Sequence, residues 1–203
     1  MVRDGYKFAL PPLALGVLAA AIGWRVIGVV LLLLGAFVVS FFRDPERVPP
    51  TDARLVVSPA DGRVTVVANE SWEGRPGQRI SIFLAIWNVH VSRTPMAGRV
   101  LRVDYRPGKF YNAMRARASQ DNEQNVIHLE TERGEIVFKQ IAGAIARRVV
   151  CWKRPGDVVT LGERIGLIRF GSRMDIWLPE GAEIVAQVGQ HVAGGTTVLA
   201  KWR

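Results

Sequence analysis

The sequence predicts a mainly β domain, folded as a barrel or sandwich, that follows an N-terminal α-helical membrane hairpin. Three features indicate this fold. Apolar and polar residues alternate in many short segments after residue 50, one long apolar stretch precedes them, and a weak repeat of 33 residues lies near the C-terminus. Many short strands at close spacing are typical of sandwiches and barrels.

The N-terminal stretch is apolar from Phe8 to Phe42 and carries one charge, Arg25, which separates two runs of 17 residues. At 1.5 Å per residue a helix of that length reaches about 25 Å, the short limit for crossing a bilayer core. A tight turn at Gly23-Trp24-Arg25 predicts a hairpin over residues 1–42 that crosses twice or dips in and returns. A cleaved signal peptide is the alternative, because residues 19–21 are all alanine.

The chain is basic, with 27 Lys and Arg against 18 Asp and Glu and a formal charge of +9. This balance suits nucleic acid or an anionic membrane surface. The apolar stretch favours the membrane, and the sequence lacks the motifs of a nucleic-acid binder. Positive residues on both outer flanks of the hairpin place residues 43–203 on the cytoplasmic face of the cell membrane. The single cysteine, Cys151, excludes an internal disulfide, and no metal-ligand cluster is evident.

A charged, proline-rich segment ends the hairpin, and alternating apolar residues then predict seven strands. These are residues 55–57, 63–67, 79–84, 126–130, 135–139, 164–168 and 175–178. Residues 111–118 predict a short helix or an ordered loop. The repeat matches Gly156, Val159, Gly162 and Ile165 to Gly189, Val192, Gly195 and Val198. It resembles the folded-over strands of lipoyl- and biotin-carrier domains, which leaves a membrane-anchored adaptor without catalysis as the alternative function.

The dipeptide Gly171-Ser172 joins an unshielded carbonyl to a hydroxyl that can turn back on it, although alone it is a common turn. Four motifs precede it in the chain. They are Phe41-Phe42-Arg43-Asp44-Pro45-Glu46-Arg47, Ser58-Pro59-Ala60-Asp61-Gly62, Trp87-Asn88-Val89-His90-Val91-Ser92-Arg93 and Gly108-Lys109-Phe110. With these motifs, from Phe41 to the C-terminus, the sequence closely resembles the short form of the phosphatidylserine decarboxylase proenzymes, archaetidylserine decarboxylase-like enzymes included.

The resemblance implies self-cleavage between Gly171 and Ser172. The serine hydroxyl attacks the glycine carbonyl, and elimination and hydrolysis leave a covalent pyruvoyl group derived from Ser172 as the cofactor. The products are chains of residues 1–171 and 172–203. The pyruvoyl group would form an imine with the amine of phosphatidylserine, or of a related serine phospholipid, and release phosphatidylethanolamine and CO2.

The resemblance also implies the site residues. A serine hydroxyl attacks poorly without a base, and the family places an essential histidine in the segment that holds His90. Asp61 then orients His90, so that Asp61, His90 and Ser172 form a trio of acid, base and nucleophile. From the residues alone, Asp61 is equally a hairpin-turn residue, and His128 and His191 are structural or surface histidines.

Two polar segments are expected to bind the lipid headgroup. Lys109 or Arg115 would contact the phosphate, while Asn122, Glu123 and Asn125 would line the pocket; a basic loop and a polar turn are the alternatives. Arg173 departs from the longer forms of the family, in which a small hydroxyl residue more often follows the serine. The lipid tail therefore stays open between phosphatidylserine and an archaeal ether-linked lipid, and a homo-oligomer is allowed.

Overall fold

The structure is a computed structural model that describes residues 1–144, 148–169 and 171–202. The chain divides into two compact units, residues 1–46 and residues 47–203. The first unit is helical and the second consists mainly of strands.

The helical unit contains α1 (Arg3–Ala21) and α2 (Arg25–Phe41), joined by a short turn in which Gly23 has a φ of +91°. The two helices pack closely where Gly16 faces Gly28. A β-carbon on Gly16 would lie 3.1 Å from the Gly28 carbonyl oxygen, and one on Gly28 would lie 3.0 Å from the Gly16 carbonyl oxygen. The turn predicted at Gly23-Trp24-Arg25 lies at residues 22–24, and α2 begins at Arg25. Small residues set the distance between the helices.

Within the described residues, no helix combines the length and the apolar character needed to span a membrane. The membrane hairpin predicted for residues 1–42 is thus not confirmed, and membrane attachment stays a prediction.

The second unit confirms the mainly β prediction. Its strands are β1 (Leu55–Val57), β2 (Gly62–Asn69), β3 (Gly77–Leu84), β4 (Val91–Arg93), β5 (Gly98–Arg106), β6 (Gln124–Thr131), β7 (Gly134–Ala142), β8 (Val149–Cys151), β9 (Val158–Val159), β10 (Arg164–Ile168), β11 (Ser172–Pro179), β12 (Ala182–Ile184), β13 (His191–Val192) and β14 (Val198–Trp202). One short helix, α3 (Ala118–Asp121), lies between β5 and β6.

Eight strands form one antiparallel sheet in the order β13-β2-β3-β11-β7-β6-β5-β9. Two three-stranded sheets accompany it, β1-β14-β12 and β4-β10-β8. The large sheet is curled into a half-barrel. In the described part of the chain its end strands pair with other neighbours and not with each other, so the barrel is open.

The core lies against one face of the large sheet. Alternate residues of β11 point into it, and Met174, Ile176 and Leu178 are each fully buried. Burying a side chain of this size contributes about 1.5–3 kcal/mol. The alternation that predicted the strand therefore also sets which face of β11 is packed inside, and Ser172 lies on that face by the same two-residue period.

All seven predicted strands lie within observed ones, and the 33-residue repeat has a structural counterpart. Gly162 and Gly195, equivalent in the two copies, have φ values of +71° and +79° and lie against each other, a β-carbon on Gly162 falling 3.1 Å from the Gly195 carbonyl oxygen. Residues 111–117 form an ordered loop, and only α3 is helical there.

Candidate active site

Ser172 begins β11 at the centre of the large sheet, opposite Leu84 of β3 and Ala142 of β7. Its side chain is fully buried, and the hydroxyl has no hydrogen-bond partner within the described residues. Leaving a buried hydroxyl unpaired costs about 1–3 kcal/mol. Gly171 before it has a φ of +64°, a conformation that glycine adopts without strain. Phe170 of the same motif lies outside the described residues.

His90 faces the Gly171-Ser172 segment. His90 directly precedes β4, which pairs with β10. The Ile168 N–H of β10 donates to the His90 carbonyl oxygen at 3.2 Å. The His90 Nδ1 lies 2.8 Å from the Asn88 carbonyl oxygen, and the Gly171 N–H donates to His90 Nε2 at 3.2 Å. A nitrogen beside a carbonyl oxygen must carry the proton, so Nε2 holds the lone pair. The nitrogen that holds the lone pair is therefore hydrogen-bonded to the backbone of the residue before Ser172.

Gly143 supports the Gly171 carbonyl from the other side. A β-carbon at position 143 would overlap the Gly171 carbonyl oxygen, so the oxygen rests on a bare α-carbon. Only glycine permits this approach without displacing the carbonyl. The sequence offered no signal for Gly143 beyond its place directly after β7.

A cavity of about 660 Å³ lies on the face of the large sheet that carries the Arg173 side chain, and neither Ser172 nor His90 lines it. Its lining includes Arg173, the residue after Ser172, and Asn88, two residues before His90. Arg63, Arg79 and His191 also line it, and the described lining contains no Asp or Glu. The cavity is therefore basic and able to take an anionic group.

The arginines of the cavity differ in their pairing. Arg79 contacts Glu70, and Arg173 contacts Asp175, whereas the Arg63 guanidinium donates only to the Gly189 carbonyl oxygen, at 3.0 Å. Of the three, Arg63 alone lacks a carboxylate partner within the part of the chain that the structure describes. It is thus the cation best able to bind an anion. Its position, like that of His191, comes from the pairing of β2 with β13, which the sequence did not reveal.

Comparisons with known proteins establish the family of this chain. The family profile described as phosphatidylserine decarboxylase matches residues 34–200. A phosphatidylserine decarboxylase proenzyme of Ruegeria pomeroyi is 46% identical over 98% of this chain and 94% of its own length. One of Geotalea uraniireducens is 44% identical over 98% of this chain and 95% of its own. The chain belongs to the phosphatidylserine decarboxylase family. The family resemblance predicted from the motifs is confirmed, and with it membership of a family of enzymes.

Among the residues that the family resemblance singled out, Asn122 is part of the scaffold of the site. Its side-chain N–H groups donate to the carbonyl oxygens of Tyr111 and Ala142, at 2.8 and 2.7 Å, and its Oδ1 accepts the Tyr111 N–H. Asn122 therefore ties the 108–113 segment to the last residue of β7, directly before Gly143.

Glu123 and Asn125 are buried in the same way. The Glu123 carboxylate accepts the Val149 N–H at 3.2 Å, and the Asn125 amide donates to Gln140 at 3.0 Å. Asn122, Glu123 and Asn125 line no part of the cavity as described, and a headgroup-binding part for them stays a prediction. Their polar atoms are needed inside the fold, because a buried group without a partner is costly.

Lys109 and Arg115 lie on the exposed loop between β5 and α3. The Lys109 ammonium lies 5.5 Å from the centre of the Tyr111 ring. Neither side chain lines the cavity as described, so a phosphate-binding part for them stays a prediction.

Asp61 is held away from His90. Its carboxylate accepts hydrogen bonds from Arg47 at 2.9 Å and from the Gly194 N–H at 2.7 Å, while the Asn88 carbonyl occupies the His90 nitrogen that Asp61 was expected to contact. The predicted Asp61–His90 hydrogen bond is therefore wrong for this structure. The cause is the turn at residues 58–61, whose backbone is paired with β4 and with the 193–197 segment.

Proposed function

We propose that this chain is a self-processing, pyruvoyl-dependent decarboxylase that converts phosphatidylserine, or a related serine phospholipid, to the ethanolamine lipid and CO2. One observation carries the proposal: the buried, unpartnered hydroxyl of Ser172 follows a glycine whose N–H is held by His90. Membership of the phosphatidylserine decarboxylase family supports the same reaction.

Self-processing needs only groups of this chain and water. The Ser172 hydroxyl attacks the Gly171 carbonyl carbon, His90 Nε2 takes the hydroxyl proton, and the peptide C–N bond breaks to give an ester and a free amine. Loss of the Ser172 α-proton then expels the Gly171 carboxylate and leaves dehydroalanine. Water converts this to a ketone and ammonia, and the chain is divided into residues 1–171 and 172–203.

The residues at the cleavage point fit a pyruvoyl group, because that group forms from a serine after an accessible carbonyl and beside a base. When formed, its carbonyl supplies an electrophile for the substrate amine and an electron sink for the electrons that CO2 leaves behind. In the proposed reaction His90 Nε2 holds the proton that the substrate α-carbon then takes up. A catalytic part for Asp61 rests on the family resemblance alone.

The basic cavity suits the phosphate of the headgroup. Arg63, the cation without a carboxylate partner there, is the proposed phosphate ligand, with Lys109 and Arg115 adding charge from the exposed loop. A charge-assisted hydrogen bond contributes about 1.5–3 kcal/mol. Arg63→Gln should therefore raise the KM for phosphatidylserine in detergent micelles about tenfold or more. The exposed Arg133, changed to Gln, is the matched control.

Membrane attachment through residues 1–42, with the second unit on the cytoplasmic face, is also proposed. Large apolar side chains stay exposed along both helices, Leu15 at 54% and Val26 at 78% among them, and water is a poor solvent for such a surface. If the helices hold the chain in the membrane, alkaline extraction of cell membranes should leave the protein in the pellet. Release into the supernatant would contradict the proposal.

The decarboxylation itself is tested by CO2 release from phosphatidylserine carrying a labelled serine carboxyl group. The purified, cleaved wild-type chain should release CO2, and Ser172→Ala should release none. A cleaved wild-type chain that leaves phosphatidylserine intact would overturn the proposed substrate class.

A further inference from the structure

Three strongly exposed apolar side chains surround the basic cavity. Trp87, Met114 and Val188 are 72%, 65% and 64% exposed, and all three line the cavity. They come from three separate segments: the turn between β3 and β4, the loop before α3, and the stretch between β12 and β13. We call these three residues the cavity rim. Apolar residues scattered singly over a surface need no explanation, but a ring of them around one opening marks an interaction surface.

The charge nearest the cavity rim is positive, and among the described residues Arg63 carries its unpaired part, because Arg79 and Arg173 contact Glu70 and Asp175. The described lining of the cavity includes three arginines and no carboxylate, and Arg115 follows Met114 directly in the exposed loop. Exposed apolar side chains beside available cations are typical of proteins that dock on an anionic bilayer, where the apolar groups enter the headgroup layer and the cations meet lipid phosphates. Tryptophan is the side chain most typical of that layer.

We propose that the cavity rim is a membrane-docking surface, by which the second unit seats its cavity on an anionic bilayer. This inference rests on the proposed function in one respect: a lipid whose headgroup enters the cavity keeps its tails in the bilayer, so the opening must touch the membrane. The lipid surface is thereby preferred over an acidic protein, which would match the charge but has no reason to surround this opening.

The test uses the full chain in vesicles and a matched pair of exposed valines. Val188 belongs to the cavity rim, while Val158, 68% exposed, lies in the edge strand β9 and does not line the cavity. In a Cys151→Ser background, Val188→Cys and Val158→Cys are each labelled with an environment-sensitive fluorophore. The protein is then reconstituted with phosphatidylcholine, part of it brominated in the tails, and phosphatidylglycerol.

The label at position 188 should be blue-shifted and quenched by brominated lipid several times more strongly than the label at position 158. Replacing phosphatidylglycerol with phosphatidylcholine should weaken the quenching at 188. Equal quenching at both positions, or none at position 188, would overturn the proposal. An absence of quenching at position 188 would favour an acidic protein as the partner of the cavity rim.

Phosphatidylglycerol is not a serine lipid, so this result does not depend on decarboxylation. Self-cleavage is read from a denaturing gel of the same preparation. Quenching at 188 without cleavage would count against the proposed function alone, and cleavage without quenching would count against the docking surface alone.

Discussion

The polar groups on the two faces of β11 differ in whether they have hydrogen-bond partners. On the outer face, Arg173 donates to Asp175 at 2.6 Å, Ser119 donates to the second Asp175 oxygen at 2.5 Å, and the Trp177 indole N–H donates to the Glu70 carbonyl oxygen at 2.8 Å. On the core face, the Ser172 hydroxyl is the polar group, and within the described residues it has no partner.

Burial does not explain this difference, because Arg173 and Asp175 are 3% and 2% exposed and Ser172 is 0% exposed. Buried polar groups in folded proteins are nearly always paired, and an exception calls for an explanation. At Ser172 the explanation is chemical: a hydroxyl that is not donating to a neighbour stays available to attack the carbonyl beside it. On the outer face, in contrast, the polar groups of Arg173, Asp175 and Trp177 are paired, and Arg173 also lines the basic cavity.

Lys139 of β7 lies directly across from Asp175 of β11, on the outer face. Burial lowers the pKa of the Lys139 ammonium, and the nearby Asp175 carboxylate offsets part of that effect. The paired charges on this face thus limit the cost of burying them.

The largest effect is expected from replacing His90, the proposed base beside the core face of β11. His90→Ala should slow self-cleavage by about a thousandfold, because general-base catalysis typically contributes 10²–10⁴. His128→Ala is the matched control, since His128 is also buried but contacts Glu135 at 2.5 Å, whereas His90 accepts the Gly171 N–H. The measurement is the rate at which the two chains appear on a denaturing gel. Equal slowing in both variants would remove the distinction between a reactive and a structural histidine.

Gly143 sharpens the comparison, because it acts on the carbonyl and not on the hydroxyl. Gly143→Ala should slow cleavage about 10- to 100-fold, since the added β-carbon displaces the Gly171 carbonyl oxygen and small misplacements are costly to a reaction.

The control for Gly143 is Gly98→Ala, whose β-carbon would overlap the Glu130 carbonyl oxygen in the same manner but away from the site. Both variants should lower the unfolding temperature, and only Gly143→Ala should slow cleavage. Normal cleavage by a folded Gly143→Ala chain would show that the contact is only packing.

On the outer face of β11, a substitution is expected to change the stability of the fold and not the rate of self-cleavage. Asp175→Asn, made in uncleavable Ser172→Ala precursor, should lower the free energy of unfolding by about 2 kcal/mol, because it weakens a buried ion pair and its hydrogen bonds.

Asp121→Asn, which breaks the exposed Arg117–Asp121 pair, should cost less than about 0.5 kcal/mol. Urea unfolding measures both. In the cleavable chain, Asp175→Asn should still process; a full block of cleavage would mean that the two faces are not separate in function.

The reactive residues were predictable from the sequence and much of their surroundings was not. Gly171-Ser172 and His90 each stand in a continuous sequence motif, so both could be found from sequence. The pairing of β4 with β10 then brings the two motifs into contact. Arg63 and His191 enter the cavity through a strand pairing between residues more than a hundred positions apart. No local pattern signals such a pairing.

Two expectations differ from the contacts that the structure shows, for a different reason. A polar side chain in a loop looks the same in sequence whether it faces a ligand or the interior of its own fold. The expectation that Asn122 binds the headgroup rests on such a side chain, and in the structure three of its four hydrogen-bonding positions are taken by Tyr111 and Ala142. Asp61 was assigned to His90 from the pattern of a trio, but the geometry gives it to Arg47 and Gly194.

The central claim is that the unpaired Ser172 hydroxyl cleaves the chain, and the mass of the resulting fragments tests it most directly. The wild-type chain of 22.4 kDa should separate into residues 1–171 and 172–203. The shorter chain should weigh one ammonia less than a simple hydrolysis fragment, because its first residue has become a pyruvoyl group. Ser172→Ala should stay at full length. An intact wild-type chain that decarboxylates its substrate, or a short chain that begins with an unmodified serine, would contradict the account.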